Sequence, residues 1–480
     1  MNSKGRLSVF TKLSYGFGDF GYSAAYTVVA FLFLFYLTDT AHLSPALAGT
    51  ALLVTKVWDA VIDPFLGHLT DHTVTRWGRR RPYFLFGFVP FGLTFFLLWV
   101  IPRGMSQTGM LLYVIVTVIL HVTVFSAMSI PYSSLTAELT PDYDERTSLT
   151  GYRMAFSIVA GLVAAAAPLA IVQAFGGTAV GYRNMAAIFG LLIAVCPLAV
   201  FLGTREPGRP KGAAATGPER VGPRGSAPEE AASFSVLEGV RATLANRPFR
   251  LALSVYLFTQ MGIDVISATF VYFLKHWMRI EGDSSIILGI IFLVAVATLP
   301  FWVWFSNRTS KKLAYAVGLG FLAAVLLGVI ALQPGQINAV YALCVLAGIG
   351  LGAAHVIPWS IIPDCIEYDE LVTGQRREGM FYGFMSFAQQ LASSVALFFT
   401  GQALSWSGYV GAAATQTPAA LWAIRILLGP VPGLMFLAGI TSVLLLPISR
   451  RDHARIREEL ERRRLGKEGV LPLDTASEKS

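Results

Sequence analysis

Apolar residues run along this chain in long blocks broken by charged or Gly/Pro-rich stretches. Each block can supply the roughly 20 residues that a helix needs to cross a bilayer. The blocks predict spans near 12–38, 45–70, 82–102, 107–138, 148–174 and 182–203, then near 248–278, 284–306, 312–332, 337–363, 378–404 and 421–448. An even number of spans puts both ends of the chain on one side. The first block carries Asp19 and is too long for a signal-peptide core, and no small-residue cleavage pattern follows it, so it is expected to stay as the first helix.

Composition points the same way. Of 480 residues 54% are hydrophobic and 14% charged, against about 25% charged in globular proteins, so the chain needs lipid around it. The net charge of +8 is gathered in a few loops and the two tails, a topology signal and not a nucleic-acid surface. Arg76, Arg79, Arg80 and Arg81 fall between the second and third spans, Arg146 between the fourth and fifth, and Arg308, Lys311 and Lys312 between the eighth and ninth. With Lys4, Arg6, the 204–250 segment and the tail from Arg450, they mark one face as cytoplasmic. The opposite loops hold Arg103, Arg183, Lys275, Arg279 and Arg425. Cys196, Cys344 and Cys365 lie in or beside apolar runs without paired or metal-ligand spacing and read as reduced packing residues.

The chain divides into an N-terminal six-helix half (1–203), a Gly/Pro/Ala-rich linker (204–247), a C-terminal six-helix half (248–449) and a charged tail (450–480). In the tail, Glu458 with Arg462 and Glu459 with Arg463 at i,i+4 predict a short helix with a solvated or headgroup-facing surface. The halves echo one another: Ile130-Pro131-Tyr132-Ser133 in span 4 is matched by Ile357-Pro358-Trp359-Ser360 in span 10, and Asp142-Tyr143-Asp144-Glu145-Arg146 by Glu367-Tyr368-Asp369-Glu370. Parallel six-span repeats are the architecture of the major facilitator fold, with substrate held between the halves near the bilayer midplane. The predicted class is therefore an all-α membrane protein of that fold, with twelve transmembrane helices.

An ionised residue at a helix centre costs about 2.5 to 3.5 kcal/mol on insertion scales, so each needs a reason. Lys56, Asp59 and Asp63 follow at i+3 and i+4 in span 2, on one helix face turned to a central cavity. Two carboxylates a turn apart repel when both are ionised, and a bound cation or proton relieves the repulsion. A purely structural alternative has Lys56 and Arg153 neutralising the two aspartates in a buried ion network. A Na+ site also needs neutral oxygens; the Ser126 hydroxyl and the Ala127 carbonyl, left without an amide by Pro131, are the neighbours.

Asp19 sits among Gly16, Gly18 and Gly21, where a helix or a ligand can approach the backbone closely. Its carboxylate can accept hydrogen bonds from a polyol or pair with a cation. Asp264 in span 7 either lines the cavity or pairs locally. Gln389, Gln390 and Trp359 offer the amide and aromatic surface that binds sugars, while His121 and His355 read as packed core histidines. No nucleophile elbow, phosphate loop, metal-ligand spacing or dinucleotide fingerprint is present, so neither an enzyme nor a cofactor is expected.

Trp58-Asp59-Ala60-Val61-Ile62-Asp63-Pro64 followed by Arg76-Trp77-Gly78-Arg79-Arg80-Arg81-Pro82 resembles the glycoside-pentoside-hexuronide:cation symporter family (melibiose permease-like) of the major facilitator superfamily. The resemblance runs almost end to end, through Ser14-Tyr15-Gly16-Phe17-Gly18, Pro141 to Arg146, and Tyr368 to Glu378. It implies that Asp59 and Asp63 are the cation-site carboxylates with Ser126 as a neutral ligand, and that Asp19 and Arg153 stand on the substrate side, with Ser129, Tyr132, Ser133, Asp264, Trp359 and Gln390 around them. The chain departs from galactoside-transporting members in having Ser129 for an aspartate, Ser133 for a tryptophan, Gln390 for a lysine and Gly18 for another lysine. The family also resembles animal lysophospholipid transporters, which share the span 2 motif.

These residues predict a Na+- or H+-coupled symporter importing a sugar or glycoside by alternating access, with a lysophospholipid or other amphiphile as the alternative solute. Asp71, Arg76, Arg79, Arg80, Asp142 and Arg146 are expected to face Asp364, Glu367, Arg376 and Arg377 across the inner gate and to part when it opens. The expected setting is the bacterial inner membrane, as a monomer with both termini cytoplasmic.

Overall fold

With no water in the bilayer core to satisfy backbone amides, each apolar block must close its own hydrogen bonds as a helix. The computed structural model describes residues 7–102, 104–140, 142–205, 246–280, 283–374, 378–411, 413 and 415–464. The first half holds α1 (Val9–Phe35, prolonged by a π-helical turn at Tyr36–Thr40), α2 (Pro45–His72), α3 (Arg81–Leu98), α4 (Gln107–Leu139), α5 (Tyr143–Ala174) and α6 (Ala179–Gly203). The second holds α7 (Arg247–Tyr272, prolonged by a π-helical turn at Phe273–Met278), α8 (Ser284–Arg308), α9 (Lys311–Gly328), α10 (Ile337–Thr373) and α11 (Glu378–Trp406). Its last span is broken at Gly429 into α12 (Pro418–Leu428) and α13 (Pro430–Leu444).

Among the described residues, 11 helical segments are long and apolar enough to cross a membrane. The remaining expected span is α11, whose 29 residues suffice in length but include Gln389, Gln390, Ser393 and Ser394. Those side chains face protein: α11 lies against α2 of the other half and against α7. Most of the linker falls outside the described residues.

Each half is a bundle of its own. In the first, α1 packs on α5 and α6, and α4 joins α2 to α3; in the second, α7 packs on α13 and α11, and α10 on α8 and α9. The halves meet along α1 with α7, α2 with α11, and α5 with α8, the last two being equivalent pairs under the repeat. Glycine permits the tight approach of α1 to its neighbours: a Cβ on Gly18 would lie 2.5 Å from the Tyr132 ring and 2.7 Å from Val200.

The repeat extends to local detail that the motifs did not reveal. Both α1 and α7 end in a π turn, and each is closed by a residue in the left-handed region, His42 (φ 61°) and Arg279 (φ 57°). Each also has an amide bonded six residues back, Leu43 N to Leu37 O and Ile280 N to Leu274 O, both 2.9 Å.

The tail forms α14 (Arg450–Arg464), with Glu458 paired to Arg462 at 2.7 Å and Glu459 to Arg463 at 3.6 Å, as the spacing predicts. It is more than a solvated strip, because Ile456 and Leu460 are buried in the core of the second half and Arg463 Nη1 donates to the Leu371 carbonyl. Ile456→Ala is expected to cost about 2 to 5 kcal/mol, read as a lower denaturation midpoint of the purified protein. An unchanged midpoint would show that the tail helix contributes nothing to the half it touches.

Candidate functional site

The span 2 triad lies on the inner side of α2. Asp59 is 8% exposed and accepts from Ser126 Oγ at 3.3 Å and from Lys56 Nζ at 3.4 Å, so the partnership expected of Ser126 is present. Asp63, one turn on, accepts from Gln390 Nε2 of α11 at 3.2 Å. Arg153 does not reach the two aspartates. It is spent on Asp19, with Nε to Oδ2 at 2.6 Å and Nη2 to Oδ1 at 3.4 Å, while its guanidinium lies over the Tyr132 ring at 4.8 Å. Lys56 thus pairs with Asp59, and the network in which Arg153 would help neutralise the two aspartates does not form.

The Asp19–Arg153 fork occupies a polar knot inside the first half. Arg153 Nη1 donates to Thr136 Oγ1, and Tyr15 and Tyr132 each donate a phenolic proton to the other's backbone carbonyl at 2.6 Å. Tyr132 is 1% exposed, so this expected substrate contact is a core residue whose hydroxyl is already committed. Ser133 is exposed and Ser129 half-buried on α4, and neither borders the central cavity; nor do Asp19, Arg153 and Gln390.

That cavity, of about 580 Å3, lies between the halves. Of the expected residues, Asp264, Trp359 and Gln389 line it, and so does His355, which was read as a packed core histidine. Asp264 both borders the cavity and pairs locally, accepting from Gln260 Nε2 at 2.9 Å and from Ser393 Oγ. Trp359 packs edge-on against Tyr256 at 5.2 Å between ring centres, and Tyr256 donates to Gln389. The α1 face that borders the cavity is Tyr22, Ser23, Tyr26 and Thr27, a turn beyond Asp19, which the search for ionisable residues passed over.

The polar side chains on its wall include Ser23, Ser157, Gln260, Asp264, His355 and Gln389. The walls between α8, α9 and α10 are Leu299, Leu322, Val325, Val329, Leu343 and similar residues. Tyr26 and Trp359 each present about half of their surface, 48%, to the cavity that they line. A smaller cleft of about 140 Å3, lined by Lys56, Asp59, Tyr26, Asp264 and Ser393, borders the acidic couple.

The halves are joined at the face opposite the arginine-rich loops. Asp39 in the π turn of α1, its side chain fully buried, accepts from Lys275 Nζ at 3.1 Å, His276 Nε2 at 2.9 Å and the Tyr409 hydroxyl, all from the second half. Thr38 bonds Tyr272 at 2.7 Å beside it. Asp39 and His276 each lie three residues before the left-handed caps His42 and Arg279, so this contact joins equivalent positions of the two repeats. Here too α2 meets α11, where a Cβ on Gly49 would sit 3.0 Å from the Phe398 carbonyl and 3.3 Å from Gly401 Cα. Sequence reading missed the cluster, although Lys275 next to His276 in an otherwise uncharged π-turn segment was a signal.

At the basic face the expected gating residues hold partners within their own half. Arg80 bonds Asp71 at 2.6 Å and Glu138 at 3.1 Å, and Arg79 approaches both at 3.7 Å. Asp142 caps α5 by accepting from the Glu145 amide at 2.8 Å, Arg146 Nε donates to the Thr140 carbonyl, and Arg76 stacks over Trp77. In the second half Lys311 grips Asp364 at 2.7 Å, and His453 of the tail helix bonds Glu367 at 2.8 Å. Arg376 and Arg377 lie outside the described residues.

The profile of the MFS/sugar transport protein family matches residues 14–450. The chain belongs to that family. An uncharacterised symporter of Synechocystis is 30% identical, with 95% of this chain and 97% of that one aligned. An uncharacterised symporter of Bacillus subtilis is also 30% identical, over 95% and 96%. The sodium-dependent lysophosphatidylcholine symporter 1-A of Danio rerio is 27% identical, over 94% and 88%. Among solved structures, the nucleoside transporter NupG superposes with a TM-score of 0.63 at 13% identity, over 91% of this chain and 99% of that one, and supports the fold alone. Like its relatives, this member of the MFS/sugar transport protein family is a multi-pass membrane symporter and not an enzyme, and it moves a small-molecule solute.

Proposed function

We propose that the protein is a cation-coupled symporter of an amphipathic solute with one long apolar arm, of the lysophospholipid kind, in preference to the sugar that the motifs favoured first. The observation that carries this reading is the shape and chemistry of the cavity. A sugar is bound by hydrogen-bonding groups spread around its ring, whereas the wall of this cavity is predominantly aliphatic and aromatic. An acyl chain between α8, α9 and α10 would gain about 0.8 kcal/mol per methylene removed from water. Its polar head would meet Ser23, Gln260, Asp264 and Gln389. The Danio rerio relative, named for lysophosphatidylcholine, supports the same class.

The cation binds at Asp59 and Asp63, with Ser126 as a neutral oxygen. With the arginine-rich loops read as cytoplasmic, both termini lie inside, the structure is the inward-open form, and the Asp39 cluster is the closed outer gate. The gating carboxylates and arginines re-pair across the inner gate when the protein turns outward.

The test is uptake into proteoliposomes of a fluorescent-chain lysophosphatidylcholine and, in parallel, labelled glycosides, pentoses and hexuronides, under a Na+ gradient, a pH gradient or neither. Lysolipid accumulation under one gradient is the expected result, with affinity rising as the acyl chain lengthens. Accumulation of a glycoside without lysolipid would return the substrate to the sugars.

A further inference from the structure

Two buried oxygens face each other's residues at the meeting point of α2 and α11 with nothing to bond. Asp63 Oδ2 takes the Gln390 amide hydrogen at 3.2 Å, yet Asp63 Oδ1 and Gln390 Oε1, both buried, have no hydrogen-bond partner. A buried acceptor left unpaired is costly, and here two occur on one interacting pair. The positive charge nearby does not cover them. Lys56 Nζ is turned to Asp59 at 3.4 Å, Arg153 is committed to Asp19, and Asp264 brings a third carboxylate to the cleft that Lys56 and Asp59 border. One centre that answers both orphan oxygens is a small hard cation, which takes oxygen ligands and no hydrogen.

We propose that Gln390 is the ligand that the second half gives to the coupling cation, its amide oxygen joining the carboxylates of Asp59 and Asp63 and the hydroxyl of Ser126. A half-turn of the terminal amide exchanges Nε2 for Oε1 toward Asp63, so the hydrogen bond seen between the two side chains is replaced by two oxygen–cation bonds without movement of either helix. The inference rests on the symport reading and adds the physical basis of its coupling. A cation held by the first half alone senses the second half only through its field and through the partners of its carboxylates. One that also draws an oxygen from α11 binds best in the state where α2 and α11 hold that register, and only such differential affinity couples ion binding to the conformational change. It also selects a metal ion over a proton, since an amide oxygen is a good ligand for Na+ and a very weak base.

The experiment is equilibrium binding of 22Na+ to the purified full-length protein in detergent, for wild type, Gln390→Ala, Gln390→Glu, Gln390→Lys and Asp63→Asn. Gln390→Ala is expected to raise the half-saturating Na+ concentration about 10- to 100-fold, the effect of losing one bond to a charged group. Gln390→Glu keeps an oxygen in place and is expected to bind Na+, which separates a lost ligand from a misfolded protein. Gln390→Lys, which supplies the lysine of the galactoside-transporting members without the aspartate they carry in place of Ser129, offers no oxygen and is expected to bind Na+ no better than Gln390→Ala. Unchanged Na+ binding in Gln390→Ala alongside its loss in Asp63→Asn overturns the role of Gln390 and leaves the acidic site standing. A wild-type protein that binds no 22Na+ also overturns the proposal, and uptake by that same protein under a pH gradient then shows whether symport survives without it.

Discussion

Asp59→Asn is expected to reduce cation-driven accumulation of substrate to the level of protein-free liposomes. Asp59 is nearly buried, and its two oxygens are divided between Ser126 and Lys56, so it is the fixed half of the acidic couple. The amide that replaces it brings no charge and leaves Lys56 without its carboxylate. Breaking a buried charge pair from one side costs about 3 to 5 kcal/mol, which at 1.4 kcal/mol per decade is on the order of 10^2- to 10^3-fold in cation affinity. Ser126→Ala removes one neutral oxygen and is expected to cost about 0.5 to 1.5 kcal/mol, a loss of no more than about tenfold. The ordering is the discriminating result. Accumulation that survives Asp59→Asn, or falls equally in Ser126→Ala, would place the coupling ion elsewhere.

The span 2 cluster was legible because everything that brings it together is local or repeated. Lys56, Asp59 and Asp63 share a face by helical spacing alone, and a carboxylate inside an apolar run demands an explanation wherever its partners lie. The six-plus-six architecture was legible for a similar reason, since the proline-centred motifs of α4 and α10 recur at matching places. Asp19 shows the limit of that reasoning. Its charge drew it to the substrate side, but its partner was Arg153, 134 residues away, and the residues that border the cavity were the uncharged Ser23 and Tyr26 on the next turn. Tyr132 belonged to a recognisable motif and turned inward to the Tyr15 carbonyl. Neither outcome follows from spacing along one helix, because both depend on how α1, α4 and α5 are rotated against one another.

The lining of the cavity was hidden for the same reason. Glutamines and a tryptophan suggest a sugar site when read singly. Only packing shows that Gln390 turns to Asp63, that Gln389 is held by Tyr256, and that the volume left over is bounded by leucines and valines of α8 to α10. A transporter's specificity belongs to the space between its helices, and a linear pattern reports faces, not spaces.

Asp39→Ala is expected to shift the protein toward a form open at the face where the ends of α1 and α7 meet, which is the extracellular face in the orientation proposed above. The Asp39 carboxylate has no exposed surface and takes Lys275, His276 and Tyr409 from the opposite half, so these bonds exist only while the ends of α1 and α7 are together. When the outer gate opens, water replaces all three partners, and the open form loses little by the substitution. The closed form loses a buried carboxylate and leaves Lys275 and His276 with no counter-charge from it, a cost of about 3 to 5 kcal/mol that falls on one state. A penalty confined to one of two states moves their ratio by on the order of 10^2 to 10^3. A membrane-impermeant maleimide applied from outside reads the shift through Ser23→Cys on the cavity wall, with Cys196, Cys344 and Cys365 replaced by serine. Labelling is expected to be slow in that background and fast once Asp39→Ala is added. Gly401→Val should act alike through sterics, because a Cβ there would lie 2.5 Å from the Pro45 carbonyl and wedge α11 from α2. Faster labelling with Gly401→Val but not with Asp39→Ala would mean that packing alone closes the outer gate and that the buried charge cluster serves another purpose.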